Sequence, residues 1–530
     1  MSMAYIEPNS TIWIMKGVPL DPSYDHTIYW NSESDRNTYF QTKTKYVFAR
    51  QMYQRVNKGR MRILKRAEDL YDCNYLAFQS NLTTTTPSTN KWFYCFITGV
   101  EYVNNEVTEI SYVIDVMTTY HFDYTLGQCF VEREHSETDN VGDNLIPENL
   151  DLGEYVYDAP TLTGYLTNRS LVVASTFNRQ YADMGGALYN GIYSGLVYNI
   201  FDESNYLAAE GFISGAQNKS SGFVAMFYYP SDMLPADQTE IGTVQEKVIT
   251  KTKKTSGALV GNYVPRNNKL YTYPYNFLYV SNNQGNAAEY RYEFFSQSNC
   301  GFKLSGDLTP CPTMMLRPMD YKGDHSLSGN FDEAITVSGW GQVPFATDSY
   351  KAWLAQAASS LLTKSVTGAI SGAMIGGAAG GVVGAVGTAA VGLGEIGVKQ
   401  LLQGTGPMGM PKQAHGNSTS NPLLSLKAID FFFYNKHITK EYAEIIDSYF
   451  TRYGYACHKL KVPNRSSRPQ FNFVKTMGCL IEAAGMVNNN IGLPADDEEA
   501  IKKIYDNGIT FWKNPANIGD YTVSNAPVST

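Results

Sequence analysis

Between Lys364 and Glu395 the chain reads SVTGAISGAMIGGAAGGVVGAVGTAAVGLG, with no ionisable side chain. Gly368, Gly372, Gly376, Gly380 and Gly384 recur at every fourth position. On a helix that spacing brings these glycines near one face, a bare ridge where a second helix can approach backbone to backbone. The run is roughly thirty residues long, and about twenty are enough to cross a bilayer as a helix. Its larger apolar members are Val366, Ile370, Met374, Ile375, Val382, Val383, Val386, Val391 and Leu393. The Val, Ile and Leu residues together favour membrane insertion by about 2 to 5 kcal/mol. The glycines, Gly387 among them, each weaken a helix by about 1 kcal/mol in water, although lipid enforces helicity more strongly. That balance is too small for a permanent anchor. It suits a segment that stays sheltered and enters a membrane on release. Two other readings compete, a buried Ala/Gly helical hairpin and a flexible linker. A linker does not need this density of Val and Ile, and a core helix normally carries Leu and larger aromatics.

The rest of the 530-residue chain is polar and aromatic, with 39 Tyr, 25 Phe and only 17% charged residues. That composition favours strands, and its length suggests three or four domains. The net charge of −8 argues against broad electrostatic binding to the outside of DNA, but leaves room for a non-sticky channel through which DNA slides. The seven Cys include no CxxC pair and read as mostly buried free thiols from a reducing compartment. The first twenty residues carry Glu7 and no basic stretch before an apolar core, so the sequence predicts folding in a cytoplasm.

Along the chain, residues 1–165 read as β. The clearest unit is a hairpin of Trp92 to Val103 and Glu106 to Met117 about Asn104-Asn105. A further strand holds Cys129, Phe130 and Val131. The basic run Lys58 to Arg66 reads as a solvated strand face rather than a phosphate site. Residues 166–345 form β-rich modules, with a buried strand at 171–175, a polar loop at 250–266, and two aromatic strands about Asn283-Gln284-Gly285-Asn286. The apolar insert spans 346–422, with helical pieces at Ser349 to Leu362 and Val398 to Leu402 and a polar linker at 411–422. Strand-like sequence resumes at 423–530, with Ile429 to Tyr434 followed by an amphipathic helix from Thr439 to Phe450.

Catalytic signatures are missing. Gly392, Gly394 and Gly397 match GxGxxG, but they follow no strand and open no βαβ unit. The chain has no P-loop, HExxH or GxSxG. His121 and His135, near Asp123, Glu132 and Glu134, specify no metal geometry on strands and read as structural. No pair of carboxylates is singled out for glycoside hydrolysis. The expectation is no enzyme, no cofactor and no metal.

Both ends of the chain resemble a known family, the tail-knob (distal tail tube) proteins of small short-tailed phages with protein-primed DNA replication. Towards the N-terminus the resemblance lies in Asn90-Lys91-Trp92-Phe93-Tyr94, Ile114-Asp115-Val116, Phe122-Asp123, and Val131 with Arg133-Glu134-His135. Towards the C-terminus it lies in Tyr453-Gly454-Tyr455, Lys461, Pro463-Asn464, Phe471-Asn472 with Val474, Asp506 to Thr510 with Trp512, and Asn517-Ile518-Gly519 with Tyr521. Order, spacing and the intervening insert carry the match, and residues of about 170–340 depart from it most.

The resemblance implies a mainly β, β-barrel-type tube subunit assembled as a homohexamer, joined to other tail and collar proteins of the virion. Its lumen would pass phage DNA. The insert would be a helical loop that plugs the distal end, then leaves and enters the host cell membrane. The family also implies a tube wall built from both chain ends, with receptor binding and wall degradation assigned to other virion proteins. The alternatives are a receptor- or wall-binding protein using exposed aromatic residues, a wall hydrolase, and a pore-forming toxin. The last is disfavoured by the missing signal peptide.

Overall fold

The computed structural model describes residues 10–51, 59–80, 91–162, 169–182, 431–483 and 493–527. It also describes most of 187–323 in pieces, and the strands at 335–338, 345–346 and 414–415. The fold is mainly β, in several antiparallel sheets. The chain divides into two compact units. One holds residues up to Gly153, the short stretch Gly261–Leu270, and everything from Lys440 onward. The other holds Glu154–Val260 and Tyr271–Thr439.

In the first unit a six-stranded sheet runs in the order Thr44–Gln51, Ser10–Met15, Tyr75–Ser80, Trp92–Tyr102, Thr108–Ile114, Arg60–Ile63. The predicted hairpin is there. Asn104 closes its turn, its Oδ1 accepting from Glu106 N at 2.9 Å and Val107 N at 2.8 Å, the local bonding that suits Asn to turns. The return strand stops at Ile114, short of the expected Met117. Asp115 ends it by capping a one-turn helix, Val116–Thr119, with Oδ1 accepting from Thr118 N at 3.0 Å.

This sheet is covered on both faces. Ile12, Ile14, Leu76, Phe78, Cys95 and Ile110 pack on one side. Trp13, Met15, Tyr75, Ala77, Tyr94 and Phe96 pack on the other, against Phe40 of the helix Glu33–Lys43. A strand buried on both sides has no polar face, so the hairpin strands alternate imperfectly. The basic run becomes the edge strand Arg60–Ile63, where Arg60 and Arg62 meet Glu109 at 3.1 and 2.9 Å.

The second sheet of this unit mixes the chain's ends. Its order is His26–Ile28, Ile509–Trp512, Phe471–Met477, Cys129–Glu134, Tyr455–Lys461. The first pair is parallel and the rest are antiparallel. The predicted amphipathic helix occupies Lys440–Tyr453, burying Ala443, Ile446, Asp447, Phe450 and Thr451. A second helix, Ala495–Asn507, buries Ile501, Ile504 and Tyr505.

In the second unit, one sheet runs Tyr155–Tyr157, Phe432–Ile438, Asn276–Ser281, Ala287–Tyr290, and Thr161–Leu162 also pairs with Phe432–Ile438. A three-stranded sheet is ordered Val197–Asp202, Arg169–Ser175, Phe223–Pro230. A four-stranded one is ordered Lys247–Thr252, Asn299–Gly306, Thr313–Met319, Ile335–Ser338. A shared aromatic and aliphatic core, including Val172, Phe227, Tyr290, Phe302, Leu316 and Phe433, unites them.

The buried strand expected at 171–175 lies within Arg169–Ser175. The loop expected from 250 begins as an edge strand in which Ile249 alone is buried, so its polar sequence conceals pairing. Of the two aromatic strands, the first starts only at Asn276, because Asn268–Tyr271 forms a tight helical turn. Cys73, Cys95, Cys129, Cys300 and Cys479 are buried free thiols and Cys457 is a half-buried one. Cys311 lies outside the described residues.

Candidate functional site

The glycine-rich insert, with the ridge Gly368 to Gly384 and every apolar position named above, lies outside the described residues. So do both helical pieces flanking it. Its stem is described. Phe345 pairs with His415 and Ala346 with Ala414 in a two-residue antiparallel ladder. The stretch read as a polar linker therefore contributes a short strand. Ala414–His415 comes within 8 Å, Cα to Cα, of the strand Phe223–Pro230.

Beyond the stem, Phe431, Phe432 and Phe433 are 3%, 2% and 2% exposed, and Phe433 packs on Phe302 with ring centroids 5.1 Å apart. A two-strand ladder alone is marginal in water, whereas each buried Phe contributes about 1.5–3 kcal/mol. These phenylalanines fix the point where the chain re-enters the sheet. Among the described residues, no helix is long and apolar enough to cross a membrane.

Asn90 lies outside the described residues. The other residues that carry the terminal resemblance fall in the first unit, Trp92 to Tyr94 and Ile114 in its six-stranded sheet, and Val131 to Glu134, Tyr455, Lys461, Phe471 to Val474 and Ile509 to Trp512 in the sheet that joins the chain's ends. Glu134 is 1% exposed; it accepts from Asn464 N at 3.0 Å and pairs with Lys461. Arg133 donates to Gly454 O at 2.6 Å and pairs with Glu148. Gly454 has φ +64°, and a Cβ there would stand 2.2 Å from Glu134 O. Only glycine tolerates both that φ and that approach. Asp506 Oδ1 accepts from Thr476 Oγ1 at 2.7 Å and Cys479 N at 3.1 Å.

The two histidines are structural. His135 Nδ1 accepts from Phe473 N at 2.7 Å, and its Nε2–H donates to Thr451 O at 3.0 Å. His121 Nε2 lies 3.3 Å from Trp30 N and 3.0 Å from Trp30 O. Burial, reinforced by Arg468 beside His135 and Arg465 beside His121, lowers each imidazole pKa to about 3. Both rings are neutral at pH 7.

Sequence reading missed Asp447. Its side chain is fully buried on Lys440–Tyr453 and anchors the short stretch Gly261–Leu270. Oδ2 accepts from Tyr263 OH at 2.6 Å and Arg266 N at 2.9 Å; Oδ1 accepts from Asn267 N at 3.0 Å and Asn267 Nδ2 at 2.7 Å. Asp447 stands on the apolar side of an amphipathic helix. That misplaced carboxylate was the one available signal.

These geometries agree with the comparisons to known proteins. The family described as Bacillus phage phi29, tail knob protein gp9, C-terminal domain, matches residues 240–526. The family described as caudoviral major tail protein N-terminus matches residues 8–125. The tail knob proteins gp9 of Bacillus phages B103 and phi29 are each 25% identical to this chain, over 99% of it and 100% of their own length. The structure of the bacteriophage C1 tail knob protein, gp12, superposes with a TM-score of 0.66 at 15% identity, covering 97% of this chain and 99% of that one. The last match shows a shared fold. The chain belongs to the phi29-type tail knob protein family, a structural and non-enzymatic family of the phage virion tail.

Proposed function

We propose that copies of this chain form a hexameric distal tail tube whose barrel-like lumen passes phage DNA, and that the insert plugs its tip and later enters the host cell membrane. Residues 1–165 and 423–530 contribute the wall, 166–345 form β-rich modules, and 346–422 is the membrane-active loop. Its glycine ridge, Gly368 to Gly384, is the surface along which loops of neighbouring subunits pack after release. Other tail and collar proteins hold the tube in the virion.

The observation that carries this reading is the pairing at the insert's base. Phe345 and His415 are cross-strand partners, so the chain leaves and re-enters its host unit at one point. A segment spliced in this way can change environment while the sheets on either side keep their hydrogen bonds.

The test has two arms. Purified protein viewed by electron microscopy should form six-fold rings or tubes, and peptide 365–394 should make liposomes leak. Replacing Gly368, Gly372, Gly376, Gly380 and Gly384 with Leu should block genome delivery and leave the tubes intact. Monomeric protein with an inert peptide would sink the proposal. Normal delivery by the Leu variant would remove the ridge from it.

A further inference from the structure

The second unit carries an aromatic surface whose side chains have no role in the tube reading, although Tyr157 and Tyr434 fall in its wall segments. In the sheet built on Phe432–Ile438, alternate residues point to opposite faces. Phe433 faces the core. Tyr434 and Lys436 face the other way. Cross-strand pairing places Tyr279 opposite Tyr434, Phe277 and Tyr157 opposite Lys436, and Glu289 opposite Tyr279. These side chains share one face.

Tyr157, Tyr279 and Tyr434 form a triangle with ring centroids 5.6, 5.7 and 6.0 Å apart. Lys436 Nζ sits beside this triangle, 4.9 to 5.6 Å from the rings of Tyr155, Tyr157, Phe277 and Tyr279. It is held by Glu289 Oε1 at 2.9 Å. Tyr157 is 51% exposed. Tyr155, Tyr279 and Tyr434 are half-buried and Phe277 is buried beside them, so the cluster opens to solvent at Tyr157, and an aromatic cluster open on one side marks a contact surface.

The chemistry of the face selects its occupant. Lys436 is neutralised by Glu289, so the centre of the face has no uncompensated positive charge for a polyanion. Nucleic acid is disfavoured for that reason. The rings are steeply inclined, with interplanar angles of 52° to 77°, so successive bases cannot stack on them in parallel. Among the described residues, no group hydrogen-bonds the hydroxyls of Tyr279 and Tyr434. A dry apolar partner would leave those hydroxyls stranded at a cost. A sugar matches all of these features. Its C–H face lies on an exposed ring, and its hydroxyls meet tyrosine hydroxyls and the Lys436–Glu289 pair. We infer that the Tyr157–Tyr279–Tyr434 face, with Lys436 and Glu289, is a binding site for neutral carbohydrate chains. This proposal is independent of the hexameric-tube reading, because the site is complete within one copy.

The full-length protein would be titrated with chitotetraose, cellotetraose and maltotetraose by calorimetry at low and high salt. Saturable binding of at least one, little changed by salt, is expected. Tyr157→Ala should weaken it about tenfold. Tyr434→Phe, which keeps the ring in its strand, should weaken it about threefold by removing one hydroxyl. Tyr71→Ala, at a tyrosine 65% exposed in the other unit, should leave binding unchanged.

No binding of any of the three sugars by wild-type protein would overturn the proposal. So would equal affinities for wild type, Tyr157→Ala and Tyr434→Phe. If Tyr157→Ala instead abolishes self-association, or salt-sensitive binding of a thymidine oligonucleotide, while no sugar binds, the face belongs to another copy or to single-stranded DNA and the proposal is wrong.

Discussion

The two units are held together by different means. The second relies on apolar contact. Its core, from Val172 and Phe227 to Phe302 and Phe433, is continuous across three sheets. The first joins segments hundreds of positions apart, and buried polar groups make many of those joins. Asp447 anchors Tyr263 and Asn267. His135 bridges Thr451 and Phe473, and Glu134 receives Asn464 and Lys461. Apolar packing is indifferent to partner and pH. Buried hydrogen bonds specify one pairing and are costly to leave unmade. The difference teaches that the first unit gains a unique assembly of its chain ends at the cost of sensitivity to protons and to single polar substitutions.

The largest expected effect breaks that polar joint. Asp447→Ala removes the acceptor for Tyr263, Arg266 and Asn267 and should destabilise the first unit by about 3–5 kcal/mol. Hydrogen exchange should then rise in 261–270 and 440–453 while 169–175 and 276–281 stay protected. A core truncation in the second unit, Phe433→Ala, should cost a similar about 3–5 kcal/mol. Its effect should be confined to that unit and flat with pH, which denaturant melts at pH 7 and pH 5 would check.

Acid should separate the units next. His121 and His135 have folded-state pKa values lowered to about 3 from an ordinary 6.5. Below pH 6.5 the unfolded chain therefore binds protons that the folded chain refuses. Stability is full above that pH and is lost as pH falls toward 3. Between pH 7 and pH 5 each histidine should remove about 2 kcal/mol from the first unit. His135→Gln should reduce the slope of stability against pH between pH 7 and pH 5, whatever it does to stability at pH 7. An unchanged slope would remove His135 from this account.

Smaller effects sharpen the boundary. Gly454→Ala forces a side chain into a left-handed φ of +64° and toward Glu134 O, with an expected loss of about 2 kcal/mol in thermal melts. Arg62→Ala removes one of the two arginines on the largely buried Glu109 and leaves Arg60 in place, so it should change stability by less than about 1 kcal/mol.

Local features were legible in the sequence because they rest on neighbours. The hairpin about Asn104, the helix from Lys440 and the buried strand ending at Ser175 all follow from turn chemistry or period. The uncharged insert was also plain, since a long run without charge needs no partner to be noticed. The terminal resemblance identified the right family, and part of its residues, Val131 to Glu134 with Tyr455, Lys461 and Phe471 to Val474 among them, lie in the sheet that joins the chain's ends.

Tertiary structure decided the rest. Gly261–Leu270 belongs with the chain's two ends because Asp447, 180 positions away from Asn267, accepts its hydrogen bonds. No local period encodes a contact of that separation. The hairpin strands lost their alternation because Phe40 and its neighbours cover the second face of their sheet. The tyrosines of the sugar-site proposal are spread from 157 to 434, and only the register of three strands brings them together. The sequence determined which pieces form and that an apolar segment is spliced among them. Pairing between distant strands determined which pieces share a core, because that depends on the closure of long loops and on burial, neither of which leaves a mark on adjacent residues.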